Sequence, residues 1–63
     1  MDKVKLDLVG LDGNAFSLLG AFGRAAKKQG WSPDAIEAVM EEAKSNDYDH
    51  LLMTLTDHTE SPE

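Results

Sequence analysis

Val4, Leu6 and Leu8 alternate with Lys3, Lys5 and Asp7. A period of two places apolar side chains on one face of an extended chain, so a strand is predicted over about residues 3–9. Gly10-Leu11-Asp12-Gly13 supplies two glycines and an Asp-Gly pair, a turn signature. Such a turn ordinarily opens a hairpin, yet the residues after Gly13 lose the alternation. The return strand is missing. From Asn14 the period lengthens: Ala15, Leu18, Leu19, Phe22, Ala25 and Ala26 recur at steps of three and four, with Phe16 on the flank of the stripe. This predicts a helix over about residues 14–29, with Asn14 as its N-cap and Gly30 as its stop.

Ser32-Pro33-Asp34 is a helix start, combining a capping hydroxyl, a proline at the first helical position and an acid in the first turn. Trp31 before the cap and Ile36 at the fourth helical position have the spacing of a hydrophobic staple, which would bury Trp31. Ile36, Val39, Met40 and Ala43 mark the inner stripe of this second helix, over about residues 33–45. Ser45-Asn46-Asp47 breaks it and offers the next cap. Tyr48, Leu51, Leu52 and Leu55 then predict a third helix over about residues 47–58, and the polar end, residues 59–63, is expected to fray. Gly20 and Gly23 each cost the first helix about 1 kcal/mol relative to Ala, which points to a close approach by another helix of the same chain.

Sixty-three residues form one domain at most, and a chain of this size hides only about 60% of its unfolded surface. It has no Cys, so no disulfide or thiolate metal site. No long apolar run is present, and the charged alternation at Met1-Asp2-Lys3 does not resemble a signal-peptide core; a cytoplasmic setting is expected. The net charge of −6 is unevenly placed. Residues 1–30 carry five bases and three acids, a sum of +2, whereas residues 31–63 carry nine acids and Lys44, a sum of −8. Such polarity favours oriented encounters with charged partners.

The search for catalytic chemistry is negative. Gly20-x-x-Gly23 lacks the third glycine and preceding strand of a dinucleotide fingerprint, and Gly10 to Gly13 lacks the Lys-Ser/Thr of a phosphate loop. Asp12 and Asn14 open like a calcium loop, but Gly23 stands where the bidentate Glu belongs. Asp47, His50, Thr54 and Asp57 share a side of the third helix with His58 beside them, and they read as exposed polar residues rather than metal ligands. Ser17 has no evident base. Neither a cofactor nor a metal is expected, and the chain is not expected to be an enzyme.

Two surfaces remain. Glu37, Glu41 and Glu42 lie off the apolar stripe of the second helix, where Glu37 and Glu41 repel at a spacing of four. They are either a solvated face or an acidic surface for a partner. Arg24, Lys27 and Lys28 cluster in the last turns of the first helix, near Phe22 and Trp31. Three bases form a thin footprint for nucleic acid, since duplex binding typically draws on about six to ten phosphate contacts; pairing of two copies would double it.

The segments Leu8-Val9-Gly10-Leu11-Asp12-Gly13-Asn14-Ala15-Phe16, Gly20-Ala21-Phe22, Gly30-Trp31-Ser32 and Asp47-Tyr48-Asp49-His50-Leu51-Leu52 resemble small uncharacterised proteins encoded by bacteriophages, prophages and plasmids. The resemblance spans nearly the whole chain and implies a bacterial host cell and a mobile-element origin, with no catalytic residues to transfer. Gln29-Gly30-Trp31 is also similar, in shape only, to the Met-Gly-Phe loop of ubiquitin-associated-type three-helix modules; the Met is absent here, and fold analogy does not license ubiquitin binding.

The sequence therefore predicts a mainly α single domain, an N-terminal strand followed by a compact three-helix bundle. Its predicted role is a noncatalytic protein-interaction module that binds a bacterial host protein through Glu37, Glu41 and Glu42. The alternative is a small dimeric nucleic-acid-binding regulator using Arg24, Lys27 and Lys28. A lone strand leaves backbone groups unpaired, so Val4, Leu6 and Leu8 are expected to lie in a strand that pairs antiparallel with its copy across a homodimer.

Overall fold

Three polar side chains determine where the helices begin. Asn14 Oδ1 accepts the Phe16 N–H at 2.8 Å, Ser32 Oγ accepts the Ala35 N–H at 3.1 Å, and Asp47 Oδ1 accepts the His50 N–H at 2.9 Å. Each satisfies a donor that has no partner within its helix. The computed structural model describes residues 3–8 and 10–61. Its elements run in the order β1 (Val4–Lys5), α1 (Ala15–Lys28), α2 (Pro33–Lys44), α3 (Tyr48–Asp57) and β2 (Thr59–Glu60).

The end of α1 is equally well defined. Gly30 has φ +97°, a conformation in which a Cβ is strained. It lets the Gly30 N–H reach the Lys27 carbonyl at 3.2 Å and the Trp31 N–H reach the Ala26 carbonyl at 3.0 Å, adding donors to carbonyls of the last turn. The chain reverses there and delivers Trp31 to the start of α2.

Inward-facing side chains meet as the periodicity predicts. Leu18, Leu19, Phe22 and Ala26 of α1, Val39 and Ala43 of α2, and Leu51 and Leu55 of α3 form one buried cluster, completed by Val4 of β1. Gly23 explains how closely α1 approaches α2: a Cβ there would lie 2.6 Å from Met40 Cε. Among the described residues, a Cβ at Gly20 would meet, within 4 Å, just Arg24 Nη1 of its own helix, at 3.3 Å.

The missing return strand is supplied by the chain itself. β1 and β2 pair in parallel, with Val4 opposite Thr59 and Lys5 opposite Glu60. The Val4 N–H donates to the His58 carbonyl at 2.8 Å and the Leu6 N–H to the Glu60 carbonyl at 2.9 Å. Residues 59 and 60, expected to fray, are thus in the sheet, and Thr59 is buried. Its ladder is also shorter than residues 3–9: regular pairing covers Val4–Lys5, while Val9 and residues 62–63 lie outside the described residues.

The opposite side of β1 is occupied as well. The Lys5 N–H donates to Gln29 Oε1 at 2.8 Å, and Gln29 Nε2 donates to the Lys5 carbonyl at 2.9 Å. One side-chain amide thereby satisfies the donor and the acceptor that a further strand would have taken. The expected antiparallel pair with a second copy rested on an unpaired edge; at Lys5 that edge is taken by Gln29, and pairing across a homodimer is not shown. Val4 is buried, and Leu6 and Leu8 are half-buried against the chain's own core.

Candidate functional site

The outward side of α2 carries the acidic residues, and its geometry divides them. All of Glu37, Glu41 and Glu42 are exposed. Glu41 lies about 40° around the helix from Glu37, whereas Glu42 lies about 100° beyond Glu41. Glu42 consequently turns toward α3, where its Oε2 is 2.8 Å from His50 Nε2. A carboxylate only accepts when ionised, so His50 Nε2 carries the hydrogen in that contact. Glu41 pairs with Lys44 at 3.6 Å along its own helix. Glu37 forms no ion pair among the described residues. The three acids expected to act together are one free carboxylate and two engaged ones.

Glu37 borders a groove of about 440 Å³ between α1 and α2. Gly23, Ile36 and Met40 form its apolar bed, Trp31 and Pro33 close one end, and Lys27 stands on the α1 side. Trp31, expected in the core, is half-buried. Its ring meets Phe22 edge-on, with centroids 5.7 Å apart, and His58 edge-on at 6.4 Å. The staple spacing does hold Trp31 and Ile36 against the core together, but it leaves one side of the indole facing the groove.

The bases are exposed too. Arg24, Lys27 and Lys28 project from the last two turns of α1, where cations complement the negative end of the helix. Lys27 is the member of this set that reaches the groove. Arg24 lies back along its own helix above Gly20.

The polar residues of α3 are dispersed. Asp47 caps the helix, His50 meets Glu42, and Thr54 is buried rather than exposed as expected. His58 Nδ1 lies 2.8 Å from the Thr54 carbonyl, an acceptor, so Nδ1 bears the hydrogen. Among the described residues, no group of three or more His, Cys, Asp or Glu side chains is placed to hold a metal ion. Nor is any helix among them long and apolar enough to cross a membrane.

Sequence reasoning missed a second apolar surface. Phe16 is 82% exposed, and Tyr48, assigned to the inner stripe of α3, is 44% exposed. Both border a shallow groove with Leu19, Ala43 and Leu51. The Tyr48 hydroxyl donates to the Gly13 carbonyl, tying the start of α3 to the loop before α1. The flanking position of Phe16 on α1 was the available signal: a large apolar residue one position beyond a stripe that Ala15 already begins.

Comparison with protein-family models, with curated proteins and with solved structures finds no match to this chain.

Proposed function

We propose that the protein is a noncatalytic interaction module, an accessory protein of a phage or mobile element that binds a bacterial host protein through the acidic side of α2. The observation that carries this reading is Glu37, an exposed carboxylate without an ion pair among the described residues, beside a strip formed by half-buried Trp31, Ile36 and Met40. Exposed charge next to apolar area supplies both the oriented encounter and the burial that a specific complex needs. Glu41 and Glu42 extend the negative field, although their pairing with Lys44 and His50 gives them less to contribute on contact. The excess of acids over residues 31–63 steers a basic partner to this side.

Affinity capture from bacterial lysate, with and without nuclease, tests the proposal when the parent chain is compared with a Glu37→Lys/Glu41→Lys variant. A protein retained by the parent after nuclease treatment and lost by the variant is the expected result. Retention that vanishes with nuclease, or that Arg24→Glu/Lys28→Glu abolishes while the α2 variant retains it, replaces this reading with the nucleic-acid one. Equal retention by parent and α2 variant contradicts it.

A further inference from the structure

The groove between α1 and α2 has two properties that together select its occupant. Lys27 and Glu37 stand on its opposite sides as unlike charges that do not pair with each other among the described residues. Between them, the space above Gly23 is filled by the end of one flexible side chain, Met40, whose Cε would be 2.6 Å from a Cβ at position 23. Met has three rotatable side-chain bonds and a polarizable thioether, so its terminal methyl moves aside at small cost. A glycine placed mid-helix is otherwise unfavourable. Its effect here is to leave space that Met40 fills and, on moving aside, opens to another apolar side chain.

Resting on the proposed binding role of α2, we infer that the partner lays an amphipathic helix along this groove. An apolar knob of that helix takes the place of the Met40 methyl over Gly23, a basic side chain pairs with Glu37, and an acidic one pairs with Lys27. Helix pairs present such grooves along their length, and side chains spaced at three and four residues fill them. A uniformly basic segment would meet Lys27 unfavourably, and a uniformly acidic one would meet Glu37 unfavourably. The opposed charges therefore set the orientation of the helix as well as its composition.

The test uses three end-capped, alanine-rich helical peptides. One carries Leu at positions i and i+4, with Lys along one side of the leucines and Glu along the other; the second exchanges Lys and Glu; the third replaces both leucines by Gln. Trp31, the single tryptophan, reports binding by its emission, and the Met40 methyl reports it by NMR. Both signals are expected to move with the peptide whose charges suit the groove, at least about threefold more tightly than with the exchanged peptide, and neither is expected to move with the Gln peptide. A Lys27→Glu/Glu37→Lys chain should reverse the charge preference. Gly23→Ala should weaken the Leu peptide, and if that variant unfolds, the charge reversal decides alone. Equal response to both charge patterns, or no response of Trp31 and Met40 at millimolar peptide, overturns the inference. Loss of a captured host protein on Glu37 and Glu41 reversal, with no peptide response in the groove, would leave the acidic-side reading standing and defeat this one.

Discussion

The side-chain amide of Gln29 brackets the peptide unit of Lys5, accepting from its N–H at 2.8 Å and donating to its carbonyl at 2.9 Å. Gln29 is the C-cap residue of α1, so the last turn of the first helix serves in place of a third strand. With β2 on the other side, β1 has both edges satisfied within one chain. An open edge is a template for association, and at Lys5 this chain closes the outer edge of β1.

The first prediction follows directly: the full chain should sediment as a monomer at micromolar concentration. Gln29→Ala should cost about 1 kcal/mol, the net worth of exposed hydrogen bonds of this kind, and should speed hydrogen exchange at Lys5. A full chain that sediments as a dimer, or a Lys5 amide indifferent to the substitution, would contradict the closure of this edge.

The second concerns β2. Ending the chain at His58 removes Thr59 and the acceptor of the Leu6 N–H. Stability should fall by roughly 1–3 kcal/mol, with protection lost at Leu6 and the helical circular dichroism largely retained. An unchanged denaturation midpoint would show that the C-terminal residues contribute nothing to holding β1.

Two glycines of one helix should respond differently. Gly20→Ala introduces a methyl that meets only the flexible Arg24 side chain, so the gain in helix propensity, about 0.5–1 kcal/mol, should appear as added stability. Gly23→Ala sets its methyl against Met40 Cε, the far end of a flexible side chain, and the displacement should offset part of that gain. Urea unfolding of the two variants side by side checks this. Equal stabilisation by both would mean that α2 does not constrain position 23.

Trp31 offers the fourth prediction. Half-buried between Phe22 and His58, it should emit at a wavelength between those of buried and fully solvated indole, moving red on unfolding. Trp31→Ala should destabilise by about 2–3 kcal/mol, less than for a fully buried tryptophan. Emission already at the solvated position in the native chain would remove Trp31 from the packing described.

The helices were legible because their signals are local. Asn14, Ser32 and Asp47 announce helix starts through their side-chain oxygens and Gly30 a helix end through its backbone, and Leu18 and Phe22, Val39 and Ala43, and Leu51 and Leu55 each repeat at a step of four. β2 was not legible. Thr59 and Glu60 carry no alternation, and their strand conformation comes from a partner more than fifty residues earlier. Gln29 was hidden for the same reason, since nothing in its neighbourhood marks a glutamine that reaches Lys5. At the candidate site, composition identified the acids of α2, but whether each was free depended on tertiary neighbours: His50 across the α2–α3 turn engages Glu42, and nothing comparable reaches Glu37 among the described residues.

Charge reversal at Glu37 and Glu41 tests the proposed function most directly when association with the captured host protein is timed at two salt concentrations. At low ionic strength the Glu37→Lys/Glu41→Lys chain should associate about tenfold more slowly than the parent, with its helical circular dichroism unchanged, and the gap should narrow as salt screens the encounter. Association at the parent's rate at both salt concentrations would contradict a binding role for the acidic side of α2.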